Sequence, residues 1–248
     1  MKVVAVILVR MNSSRLPGKV MRPVLGTPLL GHLLDRVERC TVLDEIVVAT
    51  TTGSDNDLIQ SYCDQRSISV FRGSESDVLG RLLQALEWRN AQIGVLIFGD
   101  CPLIDPEIIT EIVSISKRYD KYDFVSNDLS TSWPPGMEVE VFKVSALADS
   151  ACRCEDPVLR EHGTLYMRQN PDIYHLYNVY APPHLCRQDL SLEVDVVEDL
   201  EVIEAILTAF NGYDDVKLED IIHYLNEHPT IAARNSHIER RWKQFRND

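Results

Sequence analysis

The sequence predicts an α/β fold, doubly wound about a mostly parallel sheet. Three observations carry that prediction. Between residues 3 and 126, short apolar runs alternate with stretches of helical period, a β-α-β order that calls for a parallel sheet with helices on both faces. The apolar runs are continuous, as strands buried on both faces should be. The first of them ends in a polar loop, Val9 to Lys19 (VRMNSSRLPGK), and in open α/β sheets ligands sit at that carboxyl edge.

The elements follow in order. Val3 to Val9 is the first strand. Thr27 and Pro28 read as cap and first residue of a helix to Cys40, with Leu29, Leu30, Leu33, Leu34 and Val37 on one face. Glu45 to Thr51 is the second strand, and Ser54 and Asp57 open a helix to about Gln65. Ile68 to Phe71 is the third strand, Gly73 to Asp77 a turn, and a helix follows to about Arg89. Ile93 to Phe98 is the fourth strand. Asp105-Pro106-Glu107 supplies a cap, a proline and a first-turn acid for the next helix. Asp123 to Ser126 is the fifth strand.

Beyond residue 127 the pattern changes. Asn127 to Gly136 is polar and proline-rich, and Met137 to Phe142 alternates as a strand with one polar face. Helices are expected over Ser145 to Cys152 and Pro157 to about Gln169, and a strand over Ile173 to Tyr180. Residues 127–185 therefore form a small α+β insertion within a single domain spanning 1–248, covering the sheet edge and supplying an acceptor site and a dimer contact. A late apolar strand ends at Asp195, helices span about Glu198 to Phe210 and Leu218 to Leu225, and residues 212–248 form a helical tail. Five basic residues from Arg234 onward suit a solvated or dimer-contacting helix.

The chain has 248 residues, a net charge of -13 and a pI near 5.0. That balance argues against a nucleic-acid partner, although an acidic protein can focus cations in one cleft. No apolar run is long enough to span a bilayer, and Arg10 follows the first strand with no cleavage site, so neither membrane nor signal peptide is expected. Six scattered cysteines read as reduced thiols of a cytoplasmic protein.

The opening loop gathers Arg10, Arg15 and Lys19, so the expected ligand is a polyanion, read as a nucleoside triphosphate; a solvated surface loop is the competing reading. Arg15 and Lys19 are placed to hold the triphosphate and are the loop's candidate catalytic groups. Both are expected on an exposed loop, serving chemistry more than folding. Arg10 and the amides of Met11, Asn12, Ser13 and Ser14 complete the cradle, unless Arg10 pairs with an acid at the sheet edge. Asp100 follows Gly99, which allows close approach of ligand and backbone. A carboxylate facing phosphates needs a cation between them, and Mg²⁺ bound through one or two carboxylates plus phosphates suits; a turn or capping role is the alternative for Asp100.

Seven further blocks follow the loop. VATTT at 48–52, FRGSESDVLGR at 71–81, FGDCPLID at 98–105, VSND at 125–128, PPGMEVEVF at 134–142, REHGTLY at 160–166 and EVDVVEDLEVI at 193–203 occur in order. With the loop, they make residues 2–235 resemble the CMP-sugar synthetase group of cytidylyltransferases, the acylneuraminate and 3-deoxy-manno-octulosonate type, and most of all the spore coat polysaccharide biosynthesis protein F branch. Three positions depart from the group: Val9 replaces a common Ala, Pro135 stands in a turn usually Pro-Asp-Gly, and Phe98 replaces Gln, so acceptor identity is not inherited.

The resemblance implies a Rossmann-like fold of the nucleotide-diphospho-sugar transferase type. It implies transfer of CMP from CTP to a sugar acid or related acceptor in surface glycan biosynthesis, with Mg²⁺ held by Asp100 and Asp195. Asp199 and Glu198 compete with Asp195 as helix-capping acids. Arg72, Gly73, Ser74 and Asp77 would approach base and ribose, with Asp77 equally able to cap a helix. Val9, Ala49 and Thr50 would supply contacts to the nucleotide, and Arg81 would reach the acceptor or the phosphates. Glu138, Glu140, Arg160, His162 and Tyr166 would line the acceptor site or a homodimer contact, His162 also being readable as a structural hydrogen-bonder. Other readings are a nucleotidyltransferase of a phosphorylated or phosphonate acceptor and a non-catalytic nucleotide-binding partner protein.

Overall fold

The computed structural model describes residues 1–212 and 215–240; of the tail expected over 212–248, residues 213, 214 and 241–248 lie outside the described residues. The chain runs β1 (Val3–Leu8), β2 (Pro23–Val24), β3 (Thr27–Pro28), α1 (Leu29–Val37), β4 (Glu45–Thr51), α2 (Asp57–Gln65), β5 (Ser69–Gly73), α3 (Val78–Trp88), β6 (Ile93–Phe98), α4 (Pro106–Arg118) and β7 (Phe124–Ser126). It continues with β8 (Val139–Lys143), α5 (Val144–Arg153), α6 (Pro157–Glu161), α7 (Leu165–Gln169), β9 (Leu176–Asn178), α8 (Val197–Ala209), α9 (Leu218–Glu227) and α10 (Pro229–Ala232).

Seven strands form one sheet in the order β5-β4-β1-β6-β8-β7-β9. Neighbours pair in parallel except on either side of β8, which is antiparallel to both β6 and β7. Alternate residues of β1 serve opposite layers: Val3, Ala5 and Ile7 pack under α1, α4, α8 and α9, while Val4 and Val6 pack under α3 and α5. That two-sided burial explains the unbroken apolar runs, each fully buried Val, Leu or Ile side chain contributing about 1.5–3 kcal/mol.

Four expectations change. The insertion does not merely cover the sheet edge, because β8 is built into the sheet. Val139 and Val141 face one layer and Phe142 the other, and Gly94 on β6 leaves the space Phe142 fills, since a Cβ there would lie 2.5 Å from the ring. Thr27 and Pro28 form a short hairpin strand before α1, turned by Leu25 and Gly26 at φ 51° and 83°, both left-handed as such a turn requires. The helix expected over Pro157–Gln169 breaks into α6 and α7 at Gly163, which sits at φ 63°. Asp195 ends no strand; it lies on an extended loop whose Val194 amide donates to the Asp100 carbonyl at 2.8 Å.

In the tail, Arg234 is exposed as expected of a solvated stretch, but Arg240 is not. Arg240 is 5% exposed and folds back onto Asp199 in the first turn of α8. No helix among the described residues is long and apolar enough to cross a membrane.

Candidate active site

The loop after β1 is fixed at its base. The Val9 amide donates to the Ala49 carbonyl at 3.1 Å. The Met11 amide donates to Asn56 Oδ1 at 2.9 Å, and the Ser13 and Gly18 amides to the Met11 carbonyl at 2.9 and 2.8 Å. Asn56 also accepts from the Thr50 hydroxyl and donates to Thr51, so a fully buried amide outside the motifs holds the loop. The Met11 and Ser13 amides are thereby spent within the protein. Pro17-Gly18 then turns the chain so that Lys19 points back under the sheet edge.

Lys19 is the centre of the site. Its ammonium donates to Asp100 Oδ2 at 2.9 Å, to Asp195 Oδ1 at 3.0 Å and to the Val194 carbonyl at 2.5 Å. Arg15 donates to the other oxygen of Asp195 at 2.5 Å. Lys19 is 7% exposed, so the expectation of an exposed loop lysine is corrected: two carboxylates reached from far along the chain draw it inward. Burial works against its charge, but Asp100 and Asp195 outweigh that and hold its pKa above the ordinary lysine value.

Two cavities meet here. The larger, about 340 Å³, is lined by Val9, Arg10, Ser13, Ser14, Arg15, Lys19, Arg81, Gly99 and, at its inner end, Asp100, Asp195, Phe98 and His162. Arg10 keeps only a loose 3.5 Å contact with Glu75, both side chains largely exposed. Arg81 is 4% exposed, donates through one terminal nitrogen to the Ser74 carbonyl, and leaves its Nε without a partner. Burial and then the neighbouring Arg10 push its pKa down. A buried guanidinium beside another cation, with a free donor, is a site that favours an anion. Gly99 is required by packing, since a Cβ would strike Val9 at 2.2 Å.

The smaller cavity, about 230 Å³, shares Phe98, Asp100, His162 and Asp195 with the larger. Its far wall holds Asp128, Glu138, Glu140, Glu193, Cys101 and Arg168. Arg168 donates to Asp128 at 3.2 Å and to Glu140 at 3.1 Å; burial opposes its charge, and those two carboxylates more than restore it. Thr164 donates to Glu140, and Glu138 accepts the Gly136 amide at 2.7 Å. Burial and the surrounding acids Asp100, Glu138 and Glu193 push the Cys101 thiol well up, so it is no nucleophile. Burial lowers the pKa of His162, which lies at the junction, against the opposing pull of Glu161.

Several expected site residues are committed elsewhere. Arg72 ties β5 to the loop after β4, donating to the Thr51 and Gly53 carbonyls and to Asp57. Asp77 caps α3 through the Gly80 amide and is gripped by both arms of Arg160 at 3.0 and 2.9 Å. This pair clamps α6 to α3, and it removes Asp77 and Arg160 from the lining. Burial opposes ionisation of Asp77, but the Arg160 hydrogen bonds hold its pKa below the usual carboxylate range. Ser74 caps the same turn through the Asp77 amide, Gly73 packs against Arg81, and Ala49 and Thr50 are buried behind the loop. Asn12 and Met11 lie outside the cavity lining, and Tyr166 packs edge-on against Tyr174. Of the acid rivals near Asp195, Asp199 is the capping residue: it accepts the Asp195 and Val196 amides at 2.8 and 3.0 Å and binds Arg240.

The cation-lined cavity thus meets a carboxylate-rich one at two aspartates. The sequence pattern of the family described as cytidylyltransferase matches residues 4–239. The chain belongs to the cytidylyltransferase family. Spore coat polysaccharide biosynthesis protein SpsF of Bacillus subtilis is 32% identical over 236 residues, covering 92% of this chain and 95% of that protein. A cytidylyltransferase structure from Leptospira borgpetersenii superposes with a TM-score of 0.90 at 30% identity, covering 97% of this chain and all of that one. A CMP:2-keto-3-deoxy-manno-octonic acid synthetase complexed with CTP shares the fold, with a TM-score of 0.63 at 17% identity over 85% of this chain and 100% of that one. This cytidylyltransferase is accordingly a nucleotidyltransferase enzyme with a mostly parallel sheet.

Proposed function

We propose that the protein transfers CMP from CTP to a sugar acid or related polyhydroxylated acceptor, with Mg²⁺ as cofactor and release of pyrophosphate, in the making of a surface polysaccharide. The observation that carries this reading is the junction of the two cavities at Asp100 and Asp195. The larger cavity offers Arg10, Arg15, Lys19 and Arg81 to a triphosphate, and the smaller offers carboxylates to hydroxyl groups. The CTP complex of the distant synthetase and the name of the Bacillus relative support the choice of nucleotide and pathway.

In this reading an acceptor hydroxyl in the smaller cavity attacks the α-phosphorus, one oxygen–phosphorus bond forms as the α–β bridge breaks, and a proton is released. Phosphoryl-type transfers depend mostly on positioning and charge neutralisation. Arg15 and Lys19 meet the leaving pyrophosphate, Arg81 and Arg10 the flanking oxygens. Carboxylates opposite the attacking oxygen orient acceptor hydroxyls by accepting their hydrogen bonds, and Arg168 is the cation lining that cavity among the described residues.

The fit of Mg²⁺ rests on the donor set. Asp100 and Asp195 converge on one ammonium, so their oxygens already frame a single cation position beside the phosphate cavity. Two carboxylates completed by phosphate oxygens and water make the usual Mg²⁺ shell. Bound there, the ion would neutralise charge on the α-phosphoryl group under attack. A phosphorylated acceptor is less favoured than a sugar acid, because its dianion would meet Asp128, Glu138, Glu140 and Glu193 with twice the charge of a single carboxylate, which Arg168 would have to hold.

The deciding experiment is a pyrophosphate-release screen of the four nucleoside triphosphates against sugar acids, phosphosugars and phosphonates. Release from CTP with a sugar acid is expected. Release only from another nucleotide, or only with a phosphorylated acceptor, would replace this reading; CTP binding without release from any acceptor would favour a non-catalytic partner.

A further inference from the structure

We infer that Lys19 keeps the Asp100–Asp195 pair closed to divalent cations until a triphosphate withdraws its ammonium, so that metal binding is contingent on nucleotide. The inference deepens the reading of the site as one for a metal–nucleotide complex and rests on it. Lys19 has three N–H donors, and three acceptors take them: Asp100, Asp195 and the Val194 carbonyl, all within 3.0 Å. Arg15 covers the second oxygen of Asp195. With the Lys19 side chain 9% exposed, the position between the two carboxylates is filled by a fixed positive charge.

A divalent ion arriving alone would have to push that ammonium from both carboxylates and the Val194 carbonyl into a cavity where Arg10, Arg15 and Arg81 outnumber the one further lining carboxylate, Glu161. A triphosphate changes the balance. Lys19 and Arg15 both line the larger cavity, so phosphate oxygens there compete with Asp100 and Asp195 for the same donors. Once Lys19 turns to phosphate, two bare carboxylates face the triphosphate, and a cation between them is then favoured. Each ligand prepares the site for the other, and such coupling is reciprocal.

Mn²⁺ binding, read by electron paramagnetic resonance, tests this on the full chain. Wild-type protein alone should bind Mn²⁺ at least tenfold more weakly than the same protein saturated with α,β-methylene-CTP, which cannot be cleaved. Lys19→Met should bind one Mn²⁺ without nucleotide, and adding Asp195→Asn to that variant should abolish the binding. Should Lys19→Met fail to fold, seen as a lost cooperative melt, Lys19→Gln takes its place, because the analogue's own phosphates bind Mn²⁺ and only loss of the ammonium isolates the gate. Equal Mn²⁺ affinity of wild type with and without the analogue, or no gain in a folded Lys19→Met, overturns the gate. Failure of the analogue to bind in metal-free calorimetry would instead sink the nucleotide reading, while comparison of free wild type with Lys19→Met still judges the gate.

Discussion

Lys19 and Arg15 lie four residues apart on one loop and differ in what their loss would cost. Lys19→Ala strands Asp100 and Asp195 beside a buried carbonyl, and an orphaned buried acceptor costs on the order of 2 kcal/mol. In a domain of this size that lowers the melting temperature by roughly 5 °C. Arg15→Ala loses one partly exposed ion pair, worth about 1 kcal/mol or less. Calorimetry should separate the two variants, while both lose turnover by roughly a hundredfold if they hold the leaving group. Arg15 melting as low as Lys19→Ala would show that the loop arginine is structural too. The sequence exposed these cations because cations ending a strand are conspicuous. It concealed the burial of Lys19, whose partners lie 81 and 176 positions away. Arg72, Asp77 and Arg160 sit in the right blocks, yet their donors and acceptors are consumed by local ties that no motif displays. Arg168 and Asn56 carried no signal, since one emerges from a helix after a break at Gly163 and the other from a turn.

At the scale of elements, the loop bearing Asp195 owes its position to α8 and to the segment after α10. Asp199 is fully buried, accepts two loop amides and binds Arg240 bidentately, with Asn235 adding a fifth hydrogen bond. Burial opposes ionisation of Asp199, but Arg240 and the amides hold its pKa below the usual carboxylate range. A depressed carboxylate contributes stability that is present above its unfolded pKa of about 4 and lost as pH falls through the folded value. Arg240→Met removes one partner of a buried pair and should cost about 3–5 kcal/mol at pH 7. The deficit against wild type should shrink below about pH 4, as measured by urea denaturation at both pH values. An equal deficit at pH 7 and pH 3 would deny the ionic role. Here the sequence was read well where period and caps were strong, as in β6 and α4, and poorly where long-range pairing decided. β8 lies inside the sheet because Gly94 and Phe142 fit one another, a match between residues 48 positions apart.

Across the whole molecule, a chain of net charge -13 nonetheless gathers Arg10, Arg15, Lys19 and Arg81 around one cavity at the sheet edge, which focuses a polyanion there. The surface of the insertion bears on assembly. Tyr180 and Ile173 are exposed, as is Tyr177, which stacks on Tyr122 at 4.8 Å, while Tyr174 is buried and donates to Asp149. β9 is the sheet's last strand, and an open edge beside exposed aromatics suits a partner surface. Light scattering at micromolar concentration should give twice the chain mass of 28.2 kDa; the single-chain mass would refute a homodimer. The central claim is transfer of the cytidylyl group across the junction at Asp100 and Asp195. Its most direct test uses CTP labelled at the α- or the γ-phosphate with an acceptor that supports pyrophosphate release. The label should pass to the acceptor from α-labelled CTP only, and the γ label should appear only in pyrophosphate. A γ label on the acceptor, or no label on it from either substrate, would contradict the account.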